Sequence, residues 1–137
     1  SYQNWPGKRT NNLFNIDRVF YGKVMSKILS TLYGNVPVRY ENSWLHFHKI
    51  NKGDIAKVSY HIDKEFEMAS VIYLSDGDID NGTTIFDEND KKQVVVANKY
   101  NSMILYDSNK LHGATNMNFD IDRLTLIAFF GDIMESA

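Results

Sequence analysis

From residue 38 onwards, short β-type runs alternate with clusters of turn residues, and this pattern restricts the fold more than any other feature of the chain. The runs are residues 43–50, 55–63, 68–74, 83–86, 93–97, 102–106, 114–116 and 123–130. Clusters rich in Gly, Asn, Asp and Lys separate them at 51–54, 75–82, 87–92 and 98–101. Many short strands joined by turns favour two packed sheets or a closed barrel. We therefore predict a mainly β protein.

One long helix is predicted before the strands. Asp17 is a suitable N-cap, and Gly34-Asn35 provides a stop. Between them, apolar residues recur at helical spacing, namely Val19, Phe20, Val24, Ile28 and Leu32. We expect a helix over residues 17–34 whose apolar face braces the β core.

Composition limits the functional classes. The 137 residues suffice for one domain, with an irregular segment over 1–16, the helix, and a β core over 43–130. The formal net charge of −2 gives no attraction to nucleic acid or to anionic lipid. The absence of cysteine excludes disulfides, thiolate nucleophiles and zinc–cysteine sites. No apolar run reaches the roughly 20 residues of a membrane span and no leader peptide is recognisable, so we expect a cytoplasmic protein.

Two histidines and one aspartate are candidate metal ligands. In a strand, side chains at i and i+2 share one face, so His61 and Asp63 can reach the same ion while Ile62 points into packing. Taken alone, this motif is more simply a polar strand end at the surface. His112 follows the polar stretch 107–111, which predicts a loop histidine that is either solvated or open to a metal.

Arg123 is the candidate anchor for an anion. It begins the last run and shares a strand face with Thr125 and Ile127. A guanidinium directed into a core needs a partner, and a bound carboxylate suits its planar fork. The alternative is a surface ion pair with Asp120 or Asp122.

Taken together, the three candidate ligands and Arg123 indicate a function more specifically than any one of them does alone. Two imidazoles and one carboxylate match the facial triad that holds non-haem Fe(II), and the later arginine suggests an acidic co-substrate. Residues 69–74 (Ala-Ser-Val-Ile-Tyr-Leu) and 81–86 (Asn-Gly-Thr-Thr-Ile-Phe) add a second signature, and 98–107 adds a lead-in to the distal histidine. Over roughly 43–130 the chain resembles the 2-oxoglutarate/Fe(II)-dependent oxygenase superfamily, most closely its prolyl-4-hydroxylase-like branch.

This resemblance implies a fold, a ligand set and a reaction. The family fold is a double-stranded β-helix, or jelly roll. By resemblance, His61, Asp63 and His112 bind Fe(II), and Arg123 pairs with the distal carboxylate of 2-oxoglutarate, beside Thr125. O2 is the other co-substrate, and the reaction is hydroxylation of an unactivated C–H bond. The carboxylate of Asp63 favours hydroxylation over halogenation, since halogenating relatives lack it.

The sequence departs from the branch at a few positions. A tyrosine that commonly helps to bind 2-oxoglutarate is absent near Ile50. Its candidate substitutes are His46, His48 and Tyr60. Two family glycines are replaced by Asn81 and Asn101, a residue type that tolerates left-handed backbone conformations.

The resemblance implies as substrate a prolyl residue of a peptide or protein, or a free amino acid. Trp5 and Trp44 are candidate platforms for it, although core packing is the commoner role of a tryptophan. Two alternatives are a non-catalytic jelly-roll binding domain and a cupin-like oxygenase that does not use 2-oxoglutarate. A hydrolytic zinc site is a third, but the sequence has no Glu general base of the H-E-x-x-H type.

Overall fold

The computed structural model describes residues 7–36, 38–56, 60–87 and 93–135. In these ranges one α-helix, α1 (Arg18–Tyr33), accompanies ten strands. The strands are β1 (Lys8–Arg9), β2 (Val38–Arg39), β3 (Asn42–Ile50), β4 (Met68–Tyr73), β5 (Thr83–Phe86), β6 (Gln93–Val96), β7 (Met103–Asp107), β8 (His112–Ala114), β9 (Arg123–Gly131) and β10 (Met134–Glu135). The predicted mainly β class with an N-terminal helix is confirmed. No helix in the described ranges has the length and apolar character that crossing a membrane requires.

A five-stranded antiparallel sheet organises the molecule, with strand order β1-β3-β9-β4-β7. The two longest strands pair along their whole length, from Asn42 opposite Gly131 to Ile50 opposite Arg123. A three-stranded sheet has the order β6-β5-β8, and β10 pairs with β2 in a short ribbon. The last long strand, β9, therefore lies between β3 and β4 at the centre of the main sheet.

The two faces of the main sheet have different environments. On one face Leu126, Ala128 and Phe130 pack with α1 in the hydrophobic core. On the other face Arg123 and Ile127 line a cavity. This alternation along β9 agrees with the pattern predicted for residues 123–128 and places Arg123 on the face away from the helix.

The limits of α1 agree with the prediction, but its buried face differs from the predicted one. The Asp17 side chain accepts a hydrogen bond from the Phe20 amide at 3.0 Å, and Gly34 ends the helix with a φ of 64°. The side chains that α1 buries are Tyr21, Met25, Ile28 and Leu29. By contrast Val19, Phe20 and Leu32 are exposed. The predicted stripe omitted Tyr21 and Met25, although both are long enough to fill the space over the sheet.

Met25 belongs to the buried face of α1, so we expect the packing of the helix on the sheet to depend on this side chain. Met25 is fully buried, whereas Val19 is 67% exposed on the same helix. We expect Met25→Ala to lower the free energy of unfolding by about 3 kcal/mol, because it leaves a cavity in the core. The matched control Val19→Ala should change it by less than about 0.5 kcal/mol. Urea unfolding measures both, and equal losses would contradict this assignment of the buried face.

Three local predictions are corrected by long-range pairing. The segment 1–16 is not uniformly irregular in its described part, since β1 pairs with β3 and Leu13–Asn15 forms a 3-10 helix. In place of a strand over 55–63, the described residues form two isolated bridges, Ile55 with Asn118 and His61 with His112. The strand predicted at 114–116 begins earlier, at His112, where it pairs with β5.

The two asparagines at family glycine positions behave differently. Asn101 has a φ of 61°, so it adopts the left-handed conformation anticipated for it. Asn81 instead belongs to a 3-10 helix, Ile79–Asn81, where its side-chain oxygen accepts a hydrogen bond from the Asp78 amide at 3.1 Å. Its amide nitrogen donates to Asp120 at 2.6 Å. Asn81 therefore closes a polar turn beside the start of β9, and its left-handed interpretation is wrong.

Candidate metal centre

His61, Asp63 and His112 meet at the edge of the cavity. One ligand atom from each lies within 4.8 Å of the others. Nε2 of His112 is 3.0 Å from Oδ2 of Asp63, and Nε2 of His61 is 3.7 Å from the same oxygen. Two imidazole nitrogens and one carboxylate oxygen at these separations can occupy adjacent positions around a single ion.

Backbone hydrogen bonds hold the three ligands together. His61 and His112 form a reciprocal bridge in which each amide donates to the carbonyl of the other at 2.9 Å. The Asp63 amide donates to the Ser108 carbonyl at 2.8 Å. The proximity of His61 and Asp63 to His112 thus comes from pairing with Ser108 and His112. The strand predicted to place His61 and Asp63 on one face is replaced here by an isolated bridge at His61.

His112 is a buried strand residue and not the solvated loop histidine that the sequence suggested. It is 3% exposed, and its Nδ1 lies 2.7 Å from the Lys110 carbonyl oxygen. A carbonyl only accepts, so Nδ1 carries the hydrogen and donates it. In the neutral ring, Nε2 then presents a lone pair towards the centre of the site. Metal-binding histidines typically have the ring nitrogen that does not bind the metal held by such a hydrogen bond.

The donor set calls for a cation. Burial alone would raise the pKa of Asp63, but its hydrogen bond with His112 and the neighbouring positive charges hold that pKa below its usual value. Its carboxylate is therefore an acceptor and lies 3.0 Å from Nε2 of His112. A proton on Nε2 makes this contact a hydrogen bond, and without that proton Nε2 offers a lone pair to an ion. Two acceptors at this distance need either a proton or a metal ion between them. Nitrogen and oxygen ligands with this geometry fit Fe(II).

Arg123 is buried on the same cavity, with 6% of its surface exposed. Its Nε donates to the Asn81 carbonyl at 3.0 Å, and Nη2 lies 3.4 Å from both the Gly82 carbonyl and the Thr83 hydroxyl. Burial lowers the pKa of Arg123, which shows the cost of keeping this charge away from water. The guanidinium is therefore held in place by neutral acceptors.

Arg123 has no carboxylate partner among the described residues. The two acids that offered a surface ion pair are engaged elsewhere, because Asp120 accepts from the Asn81 amide at 2.6 Å and Asp122 accepts from the Lys52 backbone amide at 2.8 Å. The surface ion-pair alternative is therefore wrong, and the charge of Arg123 remains available to a bound anion.

Tyr73 is a member of this anchor that the sequence analysis did not single out. It is fully buried, its ring centroid lies 5.7 Å from Cζ of Arg123, and its hydroxyl is 2.5 Å from the Thr83 hydroxyl. Burial raises the pKa of Tyr73, so the phenol keeps its proton and packs against Arg123 as a neutral group, although Tyr73 is not among the described lining residues of the cavity. The sequence signal for Tyr73 was its spacing from Val71 on β4. The two residues are two positions apart, so both side chains face the cavity side of the sheet.

A cavity of about 380 Å³ joins the metal centre to Arg123. Ile50, Val71, Ile127 and Phe129 supply much of its apolar wall. A mostly apolar pocket with a few convergent polar groups is the usual form of a small-molecule site. The candidate metal centre and the buried cation of Arg123 thus line the same cavity.

Three further residues were predicted to contact the co-substrate, and they differ in their position relative to the cavity. His48 lines the cavity. Thr125 is buried, and its hydroxyl donates to the His48 carbonyl at 3.4 Å. Tyr60 packs edge to face on Phe86 with ring centroids 4.8 Å apart and is not among the described lining residues.

The two tryptophans proposed as platforms also differ in position. Trp44 is 37% exposed and contacts His46 edge to face, with ring centroids 6.5 Å apart. It lies on the same face of β3 as His46 but does not line the cavity within the described residues. Trp5 lies outside the described residues.

His46 is the most unusual buried polar group of the cavity wall. It is 2% exposed and stacks on Phe129 with ring centroids 6.2 Å apart. Burial, followed by the positive charges of Arg9 and His48, lowers its pKa to about 3. His46 is therefore neutral at physiological pH.

This shift makes the fold sensitive to acid. Between pH 6.5 and about 3 the unfolded chain binds a proton at His46 that the folded protein does not, so stability falls as pH falls through this window. We expect wild type to lose about 2 kcal/mol more stability than His46→Phe between pH 7 and 5, at about 1.4 kcal/mol per pKa unit. Urea unfolding of both proteins at the two pH values measures this. Parallel losses would show that His46 is not the acid-sensitive group.

Comparison with known proteins shows the fold. No family model and no curated protein matches the chain. A prolyl hydroxylase from Trichoplax adhaerens, solved with a hypoxia-inducible factor peptide fragment, superposes with a TM-score of 0.69 at 15% identity, over 96% of this chain and 66% of that one. HygX from Streptomyces hygroscopicus, with nickel and 2-oxoglutarate bound, gives 0.65 at 14% identity, over 90% and 71%.

A 2OG-Fe(II) oxygenase from Burkholderia pseudomallei gives a TM-score of 0.59 at 14% identity, over 77% of this chain. The chain spans only 50% of that protein's length, so it corresponds to a part of it. The family resemblance found in the sequence is thus confirmed at the level of the fold, which the chain shares with 2OG-Fe(II) oxygenases and with prolyl 4-hydroxylases among them.

Proposed function

We propose that this chain is a 2-oxoglutarate- and Fe(II)-dependent dioxygenase with a jelly-roll core. In this proposal His61, Asp63 and His112 hold Fe(II), and Arg123 binds the distal carboxylate of 2-oxoglutarate. The observation that carries it is the shared cavity, in which the paired acceptors of Asp63 and His112 open onto the same space as a buried arginine without a carboxylate partner among the described residues.

The chain's residues would prepare the site before any chemistry occurs. Fe(II) with bound 2-oxoglutarate supplies the activation of O2 and the attack on a C–H bond. The Lys110 carbonyl fixes the tautomer of His112, so that Nε2 is ready to bind the ion. Arg123, held against the Tyr73 ring, would orient the co-substrate by its far carboxylate. The apolar wall would limit the access of water.

The reaction we propose is hydroxylation of an unactivated C–H bond, in a prolyl residue of a peptide or protein or in a free amino acid. Support for this substrate class comes from the prolyl hydroxylases that share the fold. A non-catalytic binding domain that holds no anion is less favourable, because it leaves the buried charge of Arg123 without a ligand. A hydrolytic zinc site is also less favourable, since no glutamate lines the cavity within the described residues.

An anaerobic titration tests the proposal. Addition of Fe(II) and then of 2-oxoglutarate is expected to produce a weak visible charge-transfer band, and admission of O2 is expected to release succinate. Fe(II) that binds without a subsequent 2-oxoglutarate band would point to the cupin-like alternative. If calorimetry detects neither Fe(II) nor 2-oxoglutarate binding, the proposed function is wrong and the binding-domain alternative stands.

A further inference from the structure

The cavity wall formed by β1 and β3 carries polar groups that the proposed chemistry does not use. Neither ring nitrogen of His46 has a hydrogen-bond partner among the described residues, although the side chain is 2% exposed. A buried donor and acceptor left unmatched are costly, and they are uncommon in folded proteins. Because His46 lines the cavity, a molecule bound there can supply the missing partner.

Arg9 lies on the same wall. It is directly opposite His48 in the β1–β3 pairing, so both side chains project from the cavity face of the sheet. Arg9 lines the cavity at its exposed edge. Its positive charge is close enough to lower the pKa of both His46 and Asp63. A cation and an unmatched imidazole therefore border the space next to the candidate metal ligands.

We propose that Arg9 and His46 form a subsite that binds a carboxylate of the primary substrate. This inference rests on the proposed function and narrows its substrate to a molecule with a free carboxylate near the reacting carbon. Arg9 would supply a charge-assisted hydrogen bond, and neutral His46 would donate its single N–H to the same group. Such a carboxylate is present in a free amino acid or at the C-terminus of a peptide, and it is absent from an internal prolyl residue.

Matched acids and amides test this subsite. The probes are the proteinogenic amino acids with their carboxamides, and N-acetylated dipeptides ending in proline with a free or an amidated C-terminus. Each is titrated anaerobically into protein loaded with Fe(II) and 2-oxoglutarate, and binding is read from the shift of the charge-transfer band. The variants are Arg9→Gln, His46→Phe, which keeps the stacking on Phe129, and the control Lys8→Gln. Lys8 adjoins Arg9 on β1 but projects from the opposite face.

At least one acid is expected to bind wild type about tenfold or more tightly than its amide, the size of one charge-assisted hydrogen bond. Arg9→Gln should abolish this preference, His46→Phe should reduce it severalfold, and Lys8→Gln should retain it. A preference seen with free amino acids assigns the subsite to them, and one seen only with the dipeptides assigns it to a chain terminus.

Three results would overturn the proposal. One is a panel in which no acid binds better than its amide, and another is a preference that survives in Arg9→Gln. The third is loss of 2-oxoglutarate affinity in the two variants before any probe is added, which would assign this wall to the co-substrate. Failure of the proposed function is distinguishable from all three, because wild type would then give no band with Fe(II) and 2-oxoglutarate alone.

Discussion

Asp63→Asn is expected to lower the affinity for Fe(II) by at least about 100-fold and to abolish succinate release, since losses of 10- to 100-fold follow even from changes in groups that only support the ligands. The substitution keeps the shape of the side chain but removes its charge. Its amide can donate to Nε2 of His112, now 3.0 Å from the carboxylate, so the variant satisfies both groups without a metal. Calorimetric titration with Fe(II) under anaerobic conditions measures the loss.

The stability of the metal-free protein separates this effect from misfolding. We expect the free energy of unfolding of Asp63→Asn without metal to stay within about 1 kcal/mol of wild type, because the hydrogen bond with His112 is retained in neutral form. The control is Glu65→Gln, which removes an exposed carboxylate two residues away and should leave Fe(II) affinity unchanged. Tight Fe(II) binding by Asp63→Asn would show that the ion is held elsewhere.

Arg123→Met is expected to weaken 2-oxoglutarate binding by about 100-fold or more, because a bidentate charge-assisted contact is lost. Fe(II) binding should be unaffected, since Arg123 is not one of the candidate ligands. The metal-free, co-substrate-free variant should stay within about 1 kcal/mol of wild type. Removal of a buried charge without a carboxylate partner offsets the loss of its hydrogen bonds to Asn81, Gly82 and Thr83.

Thermal unfolding with and without 2-oxoglutarate displays both effects in one measurement. Wild type loaded with Fe(II) should gain stability with rising 2-oxoglutarate concentration, and Arg123→Met should gain almost none. The control Arg39→Met removes an exposed arginine on β2 and should respond as wild type does. Equal stabilisation of Arg123→Met and wild type would mean that the co-substrate binds away from Arg123.

Local signals in the sequence were sufficient for the elements whose ends they define. Asp17 and Gly34 fixed the ends of α1, because a cap acts within one turn of the chain. The alternation of Arg123 and Thr125 with Leu126 and Ala128 predicted the two faces of β9 correctly. The buried face of α1 was predicted only in part. Ile28 and Val24 do meet the core, but the choice between Val19 and Tyr21 depends on which side of the helix meets the sheet.

The candidate site depended on contacts that no local pattern encodes. The residue types of His61, Asp63 and His112 were informative, but their convergence comes from main-chain pairing between segments distant in sequence. Arg9 was overlooked for the same reason, since only its pairing with β3 brings it from an apparently irregular segment to the cavity edge. Tyr73 had the correct strand parity, but its contact with Arg123 requires the register of β4 against β9.

The His61–His112 bridge has a mechanical consequence. In the described part of residues 51–67 there is no regular strand, and main-chain hydrogen bonds tie this connection to residues 108–119 and to Phe130. An ion held by His61 and Asp63 on one side and by His112 on the other would act as a reversible cross-link between this connection and the three-stranded sheet. Removal of the ion by a chelator would then loosen this connection between β3 and β4. Its resistance to proteases should therefore increase with iron occupancy.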